Sequence, residues 1–316
     1  MPEPRIAICG SIAFDTICVF PGRFGDHILP HATHKISVSF LVEHLRREFG
    51  GCAGNIAYNL AGIGGAPVVC ATIGNDAAGY RDRLGQLGAG LDGLRVVPEA
   101  YTAQCHITTD LDDNQITSFH PGAMFFSHLV DVTALSDIAL GIVAPDGREG
   151  MFRHARGFAE RGIPFVFDPG QALPAFSGEE LIELIGRADY LAMNDYEAEL
   201  VRQKTGRDLA ALAAGLRGLV VTLGAQGARV YEGGRTTDVP AVPASAVVDP
   251  TGCGDAFRAG MLYGLAHGWS LVKACRLGSL LGSIKIAERG GQNHVLSPAS
   301  VRARFEQVWQ EPWGAL

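Results

Sequence analysis

Nine consecutive residues carry the strongest chemical signal in this chain: Asp249-Pro250-Thr251-Gly252-Cys253-Gly254-Asp255-Ala256-Phe257. Two glycines bracket a cysteine and lead into an apolar run through Ala259, Leu262 and Leu265, which reads as a turn opening a helix. Backbone N–H groups at a helix start lack partners and carry partial positive charge. Gly252 and Gly254 allow close approach and unusual dihedrals, so the turn can cradle an anion. Asp255 stands beside that cradle. A carboxylate there repels the anion unless it has a task, such as taking a proton from a hydroxyl that attacks a phosphoryl group. A bare Gly-x-Gly-Asp equally suits a plain helix N-cap, so the rest of the chain has to decide. No G-x-x-x-x-G-K-S/T loop occurs in it, which excludes a Walker-type phosphate site.

Four further groups have spacings suited to small-molecule chemistry. Asp15 falls five residues after Gly10, where the first strand should end, and a carboxylate there can accept two hydrogen bonds from adjacent hydroxyls. Gly50-Gly51-Cys52-Ala53-Gly54-Asn55 opens a helix whose Ala53, Ala57 and Ala61 also suit a small-residue packing face. Asn194 and Glu197 follow the strand Tyr190 to Met193, at the carboxyl end where α/β sites form. Three residues apart, they share one helix turn, and they also suit an N-cap with a first-turn Glu. Val220 to Gly227 reads as a strand, a tight turn and the start of a second strand, with Thr222 and Gly224 at the turn.

These residues need a scaffold. Short apolar strands are expected at Arg5 to Ile12, Val68 to Ile73, Ile138 to Val143, Phe165 to Phe167, Tyr190 to Met193 and Leu219 to Leu223. Helices are expected at Ala53 to Ile63, Ala77 to Leu87, Met151 to Arg161, Glu179 to Gly186 and Tyr196 to Lys204. This alternation predicts an α/β fold with a mostly parallel sheet and helices on both faces. Thr102 to Thr109 and Gln115 to His120, split by the polar Asp110 to Asn114, read as a hairpin. Thr16 to Phe20 and Lys35 to Val42 have strand character. Together these interruptions predict a small β-sheet lid, built from segments of about 15–50 and 98–122, on one domain spanning 1–316.

Composition narrows the partners. The chain has 316 residues, 47% apolar and 19% charged, with 41 glycines, enough for a sizeable core with many tight turns. A net charge of −7 and a pI of about 5.8 argue against nucleic acid as a partner. The seven cysteines form no C-x-x-C pair, which suits reduced thiols in a cytoplasmic enzyme better than a disulfide framework. The ten histidines form no H-E-x-x-H cluster, and His27, His31 and His34 read as loop residues rather than metal ligands. The polar Met1 to Arg5 does not suit a signal peptide. No apolar run reaches a membrane span. Oligomeric state is not set by the sequence; a homodimer is compatible with it.

The nine-residue string closely resembles the C-terminal signature of the ribokinase-like (PfkB) kinase family. The Gly50-Gly51 turn, the Asn194–Glu197 pair and the Thr222-x-Gly224 turn with Gly227 resemble further motifs of that family, in family order from Asp15 to the helix after Asp255. The resemblance implies that the N–H groups of Gly252, Cys253 and Gly254 form an anion hole and that Asp255 is the catalytic base. It implies that Asp15, Gly51 and Asn55 contact substrate hydroxyls, and that Thr222, Gly224 and Gly227 face ATP. It implies Mg²⁺ near Asn194 and Glu197, through water, and a monovalent cation such as K⁺ near Asp249 and Thr251. One motif departs: many relatives carry Asp-x-Asn-x-Arg where this chain has Asp168-Pro169-Gly170-Gln171, so no role is carried over to Asp168. Leu45 to Gly64, Asn114 to Thr117 and His120 to Met124 resemble bacterial and archaeal nucleoside or adenosine kinases of this family. The expectation is therefore an ATP-dependent kinase acting on the 5′-hydroxyl of a purine nucleoside. Ribose or a related free sugar is the alternative acceptor, and a non-catalytic metabolite sensor is the reading from another class. Phe14, Phe40 and Phe119 would then line a slot for the base, with Gln115 as its hydrogen-bond partner.

Overall fold

The computed structural model describes residues 2–27, 37–112 and 114–314. The first two strands go to different sheets. β1 (Arg5–Cys9) is apolar after its first residue and lies buried, whereas β2 (Ala13–Val19) is mostly half-buried. α1 (Phe24–His27), β3 (His44–Gly50), α2 (Cys52–Gly62), β4 (Ala66–Ile73), α3 (Ala78–Gln86) and β5 (Gly90–Val96) follow. β6 (Ala103–Thr109) and β7 (Gln115–His120) form the expected hairpin. Strands and helices then alternate through β8 (Ile138–Val143), α4 (Arg148–Arg161), β9 (Phe165–Phe167), α5 (Gly178–Ile185), β10 (Tyr190–Asn194), α6 (Asp195–Thr205), α7 (Leu209–Ala213) and β11 (Gly218–Thr222). β12 (Ala228–Glu232), β13 (Arg235–Val239), α8 (Cys253–Ala266), α9 (Leu271–Lys285) and α10 (Pro298–Trp309) complete the chain.

The larger sheet has nine strands in the order β13-β12-β11-β10-β9-β8-β1-β4-β5. It is parallel from β11 to β5, and β12 and β13 add an antiparallel edge. Successive residues of a strand point to opposite faces, and β1 serves both layers that way. Ile6 and Ile8 join the core under α2, α8 and α9 with Leu262, Leu280 and Phe305. Ala7 and Cys9 join the core under α4, α5 and α6 with Phe158, Leu184 and Val201. The anticipated α/β architecture with helices on both faces is thus the observed one. No helix among the described residues is long and apolar enough to cross a membrane.

The smaller sheet has the order β3-β2-β6-β7. Here one expectation is corrected. Residues 35 and 36 of the anticipated strand Lys35 to Val42 lie outside the described residues, as do His31 and His34, and residues 37–42 form no strand. The strand is His44–Gly50 instead, an edge strand with the polar sequence HLRREFG. An edge strand with an open face has no apolar periodicity to read, which is why it was missed. Register sorts the side chains, because cross-strand partners share a face. Asp15, Glu48, Cys105 and Phe119 form one row, and Ile17, Arg46, Ile107 and Thr117 the next row on that same face.

Candidate active site

The anion turn is built from its own short hydrogen bonds. Thr251 N donates to Asp249 Oδ1 at 2.9 Å, and Gly290 N donates to Asp249 Oδ2 at 2.8 Å. Gly252 caps α8 with φ +78, and a Cβ there would lie 3.1 Å from Gly291 Cα, so glycine is required on two grounds. The three-donor expectation needs correction at Cys253. Its N–H already donates to Pro250 O at 3.1 Å, closing the turn. Within the turn, the N–H groups of Gly252, Gly254 and Asp255 have no partner among the described residues, so the cradle is shifted by one residue into the helix.

Asp255 is the third residue of α8 and is half-buried. A carboxylate in a helix's first turn is normally favoured by the dipole. Here burial dominates and lifts its pKa to about 7, with Asp168 adding to the rise while a hydrogen bond from Asn55 and the charge of Arg258 oppose it. Asn55 Nδ2 donates to Asp255 Oδ2 at 2.8 Å, joining the start of α2 to the start of α8. Behind this pair lies a buried network that motif reading missed. Gln292 Nε2 donates to Asn55 Oδ1 at 3.1 Å and to Tyr80 Oη at 2.6 Å. The Tyr80 hydroxyl donates to Gly50 O at 2.7 Å. Its only signal in the sequence was the glycine pair Gly290-Gly291, immediately before Gln292.

Asp15 projects from the smaller sheet toward this region. Burial, its cross-strand neighbour Glu48 and the nearby Asp249 lift its pKa to about 6. Gly51 has φ +85, and a Cβ there would lie 2.5 Å from Ser11 O. The close approach lets Ala53 N donate to Ser11 O at 3.0 Å and Cys52 N to Ser11 Oγ at 3.1 Å. Asp15, Gly51, Asn55 and Asp255 thus converge where β2, α2 and α8 begin.

The aromatic residues sort differently from expectation. Phe14 alternates to the face opposite Asp15 and packs on Phe49 and Tyr80 at 5.9 and 5.6 Å. Phe40 packs on Phe20 and Phe24 at 4.8 and 4.9 Å, forming a small aromatic cluster. Phe119 stands in the Asp15 row and is 51% exposed. Gln115 is exposed and pairs with Thr109, four residues along the strands from that row, or about 13 Å. The structure therefore does not bring Gln115 beside Asp15. Ile17 and Ile107, one row beyond Asp15, are the apolar residues missed on that face.

On the other side of the anion turn lies a cleft of about 650 Å³. Asn194, Thr222, Gly224, Gly227, Cys253 and Gly254 all line it, with Val242, Phe257 and Ile286 supplying apolar wall. Asn194 and Glu197 form a reciprocal cap: Glu197 N donates to Asn194 Oδ1 at 2.8 Å, and Asn194 N donates to Glu197 Oε2 at 2.7 Å. Burial and the charge of Asp168 raise the Glu197 pKa. Asp168 itself ends in a buried ion pair, with Arg258 Nε at 3.0 Å from its Oδ2. The arginine that meets Asp168 thus comes from α8, three residues after Asp255. Arg258 Nη1 is buried and has no partner among the described residues.

The donors can be tested against the two implied cations. No group of three or more His, Cys, Asp or Glu among the described residues could cage a metal. Glu197 Oε1 and the second lone pair of Asn194 Oδ1 remain uncommitted after capping, which fits Mg²⁺ held through water near phosphates. K⁺ does not fit its anticipated place. Each Asp249 carboxylate oxygen accepts one N–H bond, and its main-chain oxygen accepts the Lys285 ammonium at 2.7 Å, whose charge repels a second cation there.

The chain is similar to several known proteins over most of its length. The solved structure of Burkholderia thailandensis nucleoside kinase in complex with inosine is 49% identical, with a TM-score of 0.88, and the match covers 97% of this chain and 99% of that one. The same enzyme in complex with ADP-inosine matches at 49% identity and a TM-score of 0.87, over 98% of each chain. A nucleoside kinase of Methanocaldococcus jannaschii is 28% identical over 273 residues, 86% of this chain and 90% of its own length. The pattern of the pfkB family carbohydrate kinases matches residues 22–298, and the chain belongs to that family of phosphotransferases.

Proposed function

We propose that this chain is a nucleoside kinase that moves the γ-phosphoryl group of ATP to the 5′-hydroxyl of a purine nucleoside. The observation that carries the reading is Asp255: a carboxylate with a pKa near 7, bonded to Asn55, at the meeting point of the lid face and the nucleotide-side cleft. A base works best with a pKa close to the working pH. Asp255 takes the hydroxyl proton as the acceptor oxygen bonds to the γ-phosphorus. The bond from that phosphorus to its bridging oxygen breaks, releasing ADP and the nucleoside 5′-monophosphate. The N–H groups of Gly252, Gly254 and Asp255 face the charge that develops on the transferring group. Asp15, Gly51 and Asn55 hold the ribose. Thr222, Gly224 and Gly227 contact ATP, and Asn194 and Glu197 would hold Mg²⁺ through water, which would offset phosphate charge. One kinase domain over residues 1–316, with the lid inserted in it, completes the reading, and the cytoplasm supplies both substrates.

The lid face supports a nucleoside over a bare sugar. Ile17, Ile107 and Phe119 share the face of Asp15, giving a flat apolar ring something to lie against, whereas ribose alone needs only polar partners. The relatives named above support the same choice. The test is ADP release over a panel of adenosine, inosine, guanosine, ribose and fructose, with and without Mg²⁺. The expected result is Mg²⁺-dependent turnover with the highest kcat/KM on a purine nucleoside. A higher kcat/KM on ribose or fructose would make it a sugar kinase, and no turnover on any acceptor would make it a sensor.

A further inference from the structure

Lys285 ends α9 with 0% of its surface exposed. Lysine is almost never fully buried unless its charge is met. Here it is met by two main-chain carbonyls rather than by a carboxylate. Nζ donates to Asp249 O at 2.7 Å and to Glu288 O at 2.9 Å. The two oxygens come from separate segments, one leading into the anion turn and one leaving α9. The same segments are joined around the ammonium: Val248 N and Asp249 N donate to Ile286 O at 2.9 and 3.2 Å, and Gly290 N reaches the Asp249 carboxylate. Carbonyl oxygens converging from two loops are the ligands a dehydrated K⁺ takes. An ammonium is a compact point charge with three donors and can serve the same oxygens. Burial draws the Lys285 pKa down, and the charge of Asp249 opposes this.

We propose that the Lys285 ammonium is a tethered monovalent cation, fixing the loop ahead of the anion turn so that this kinase works without K⁺. Its role is positioning: Lys285 holds Asp249, Asp249 holds Thr251, and Thr251 leads into the cradle. A tethered cation is always in place and loses no freedom on binding, so added salt has nothing to supply.

The test uses the full chain. Initial rates are compared in tetramethylammonium, Na⁺, K⁺ and NH₄⁺ chloride at one ionic strength, and thermal midpoints are read in the same four salts without substrate. The wild type should show rates within about twofold of one another and equal midpoints. Lys285→Ala should lose about 10–100-fold in tetramethylammonium, the usual cost of removing a residue that orients a site from behind. NH₄⁺ or K⁺ should restore most of that loss and raise the variant's midpoint, since a cation that binds only the folded form stabilises it. A purely structural lysine would give a loss that no cation repairs, and that result overturns the proposal. So does a wild type stimulated tenfold or more by K⁺ over tetramethylammonium, a measurement that stands even if the variant fails to fold. The thermal readings need no acceptor, so they decide the point independently of the nucleoside assignment.

Discussion

Replacing Asp255 with Asn should disable the enzyme and stabilise it at once. The substitution keeps the shape and keeps an oxygen to accept from Asn55 Nδ2, now 2.8 Å from Asp255 Oδ2, but removes the base. Loss of a general base costs about 10²–10⁴-fold in kcat. The stability effect follows from the pKa, raised from 3.8 to about 7 mainly by burial. A folded pKa above the unfolded one means that the folded state keeps its proton longer. As pH rises from about 4 to 7 the unfolded chain gives up that proton first, so stability falls across this window and the full penalty applies above it. At about 1.4 kcal/mol per unit the whole shift would cost about 4 kcal/mol. Asparagine still leaves a polar group in the same place, so a gain of about 1–3 kcal/mol is expected, or about 2–5 °C in Tm. Calorimetry and ADP release on the same preparations read both numbers. In the wild type, kcat/KM should also fall about tenfold per unit below pH 7, to about one-hundredth at pH 5. A variant with near wild-type kcat, or one melting below the wild type at pH 8, would refute the reasoning about this carboxylate.

Two other substitutions test separate parts of the site. Asp15→Ala should raise KM for the nucleoside about 10-fold or more, the loss of one or two charge-assisted hydrogen bonds, and leave KM for ATP within about twofold; equal effects on both would remove Asp15 from the acceptor side. Arg258→Met should destabilise the fold by about 3–5 kcal/mol, because it strands the buried Asp168 carboxylate, and the double variant with Asp168→Asn should recover part of that loss; additive losses in chemical denaturation would argue against coupling.

The parts of this enzyme legible in its sequence were those written in local patterns. The central parallel strands announce themselves because burial on both faces leaves runs such as RIAIC in β1. The anion turn is legible because its glycines and Asp255 sit within nine residues. What stayed hidden depends on residues far apart in the chain. Arg258 meets Asp168 across 90 positions, Gln292 meets Asn55 across 237, and no spacing rule links such partners. Cys253 shows a subtler limit. Its identity and place in the motif were right, but whether its N–H points outward or closes the turn is set by backbone dihedrals. Phe14 failed for a third reason: it is next to Asp15 in sequence and therefore, in a strand, on the opposite face.

The chain of hydrogen bonds from Gly50 O through Tyr80, Gln292 and Asn55 to Asp255 bears on how such an enzyme could change its substrate. Strand β3 runs into α2 with only Gly51 between them. A substitution that moves β3 to reshape the acceptor pocket therefore also pulls on the partner of the proposed base. The side chains of Ile17 on β2 and Ile107 on β6 take part in none of these bonds. Divergence toward new acceptors has an unobstructed route through those two side chains, while β3 is constrained by the chemistry it adjoins. A library varied at 17 and 107 should yield altered specificity with kcat intact far more often than one varied along 46–50.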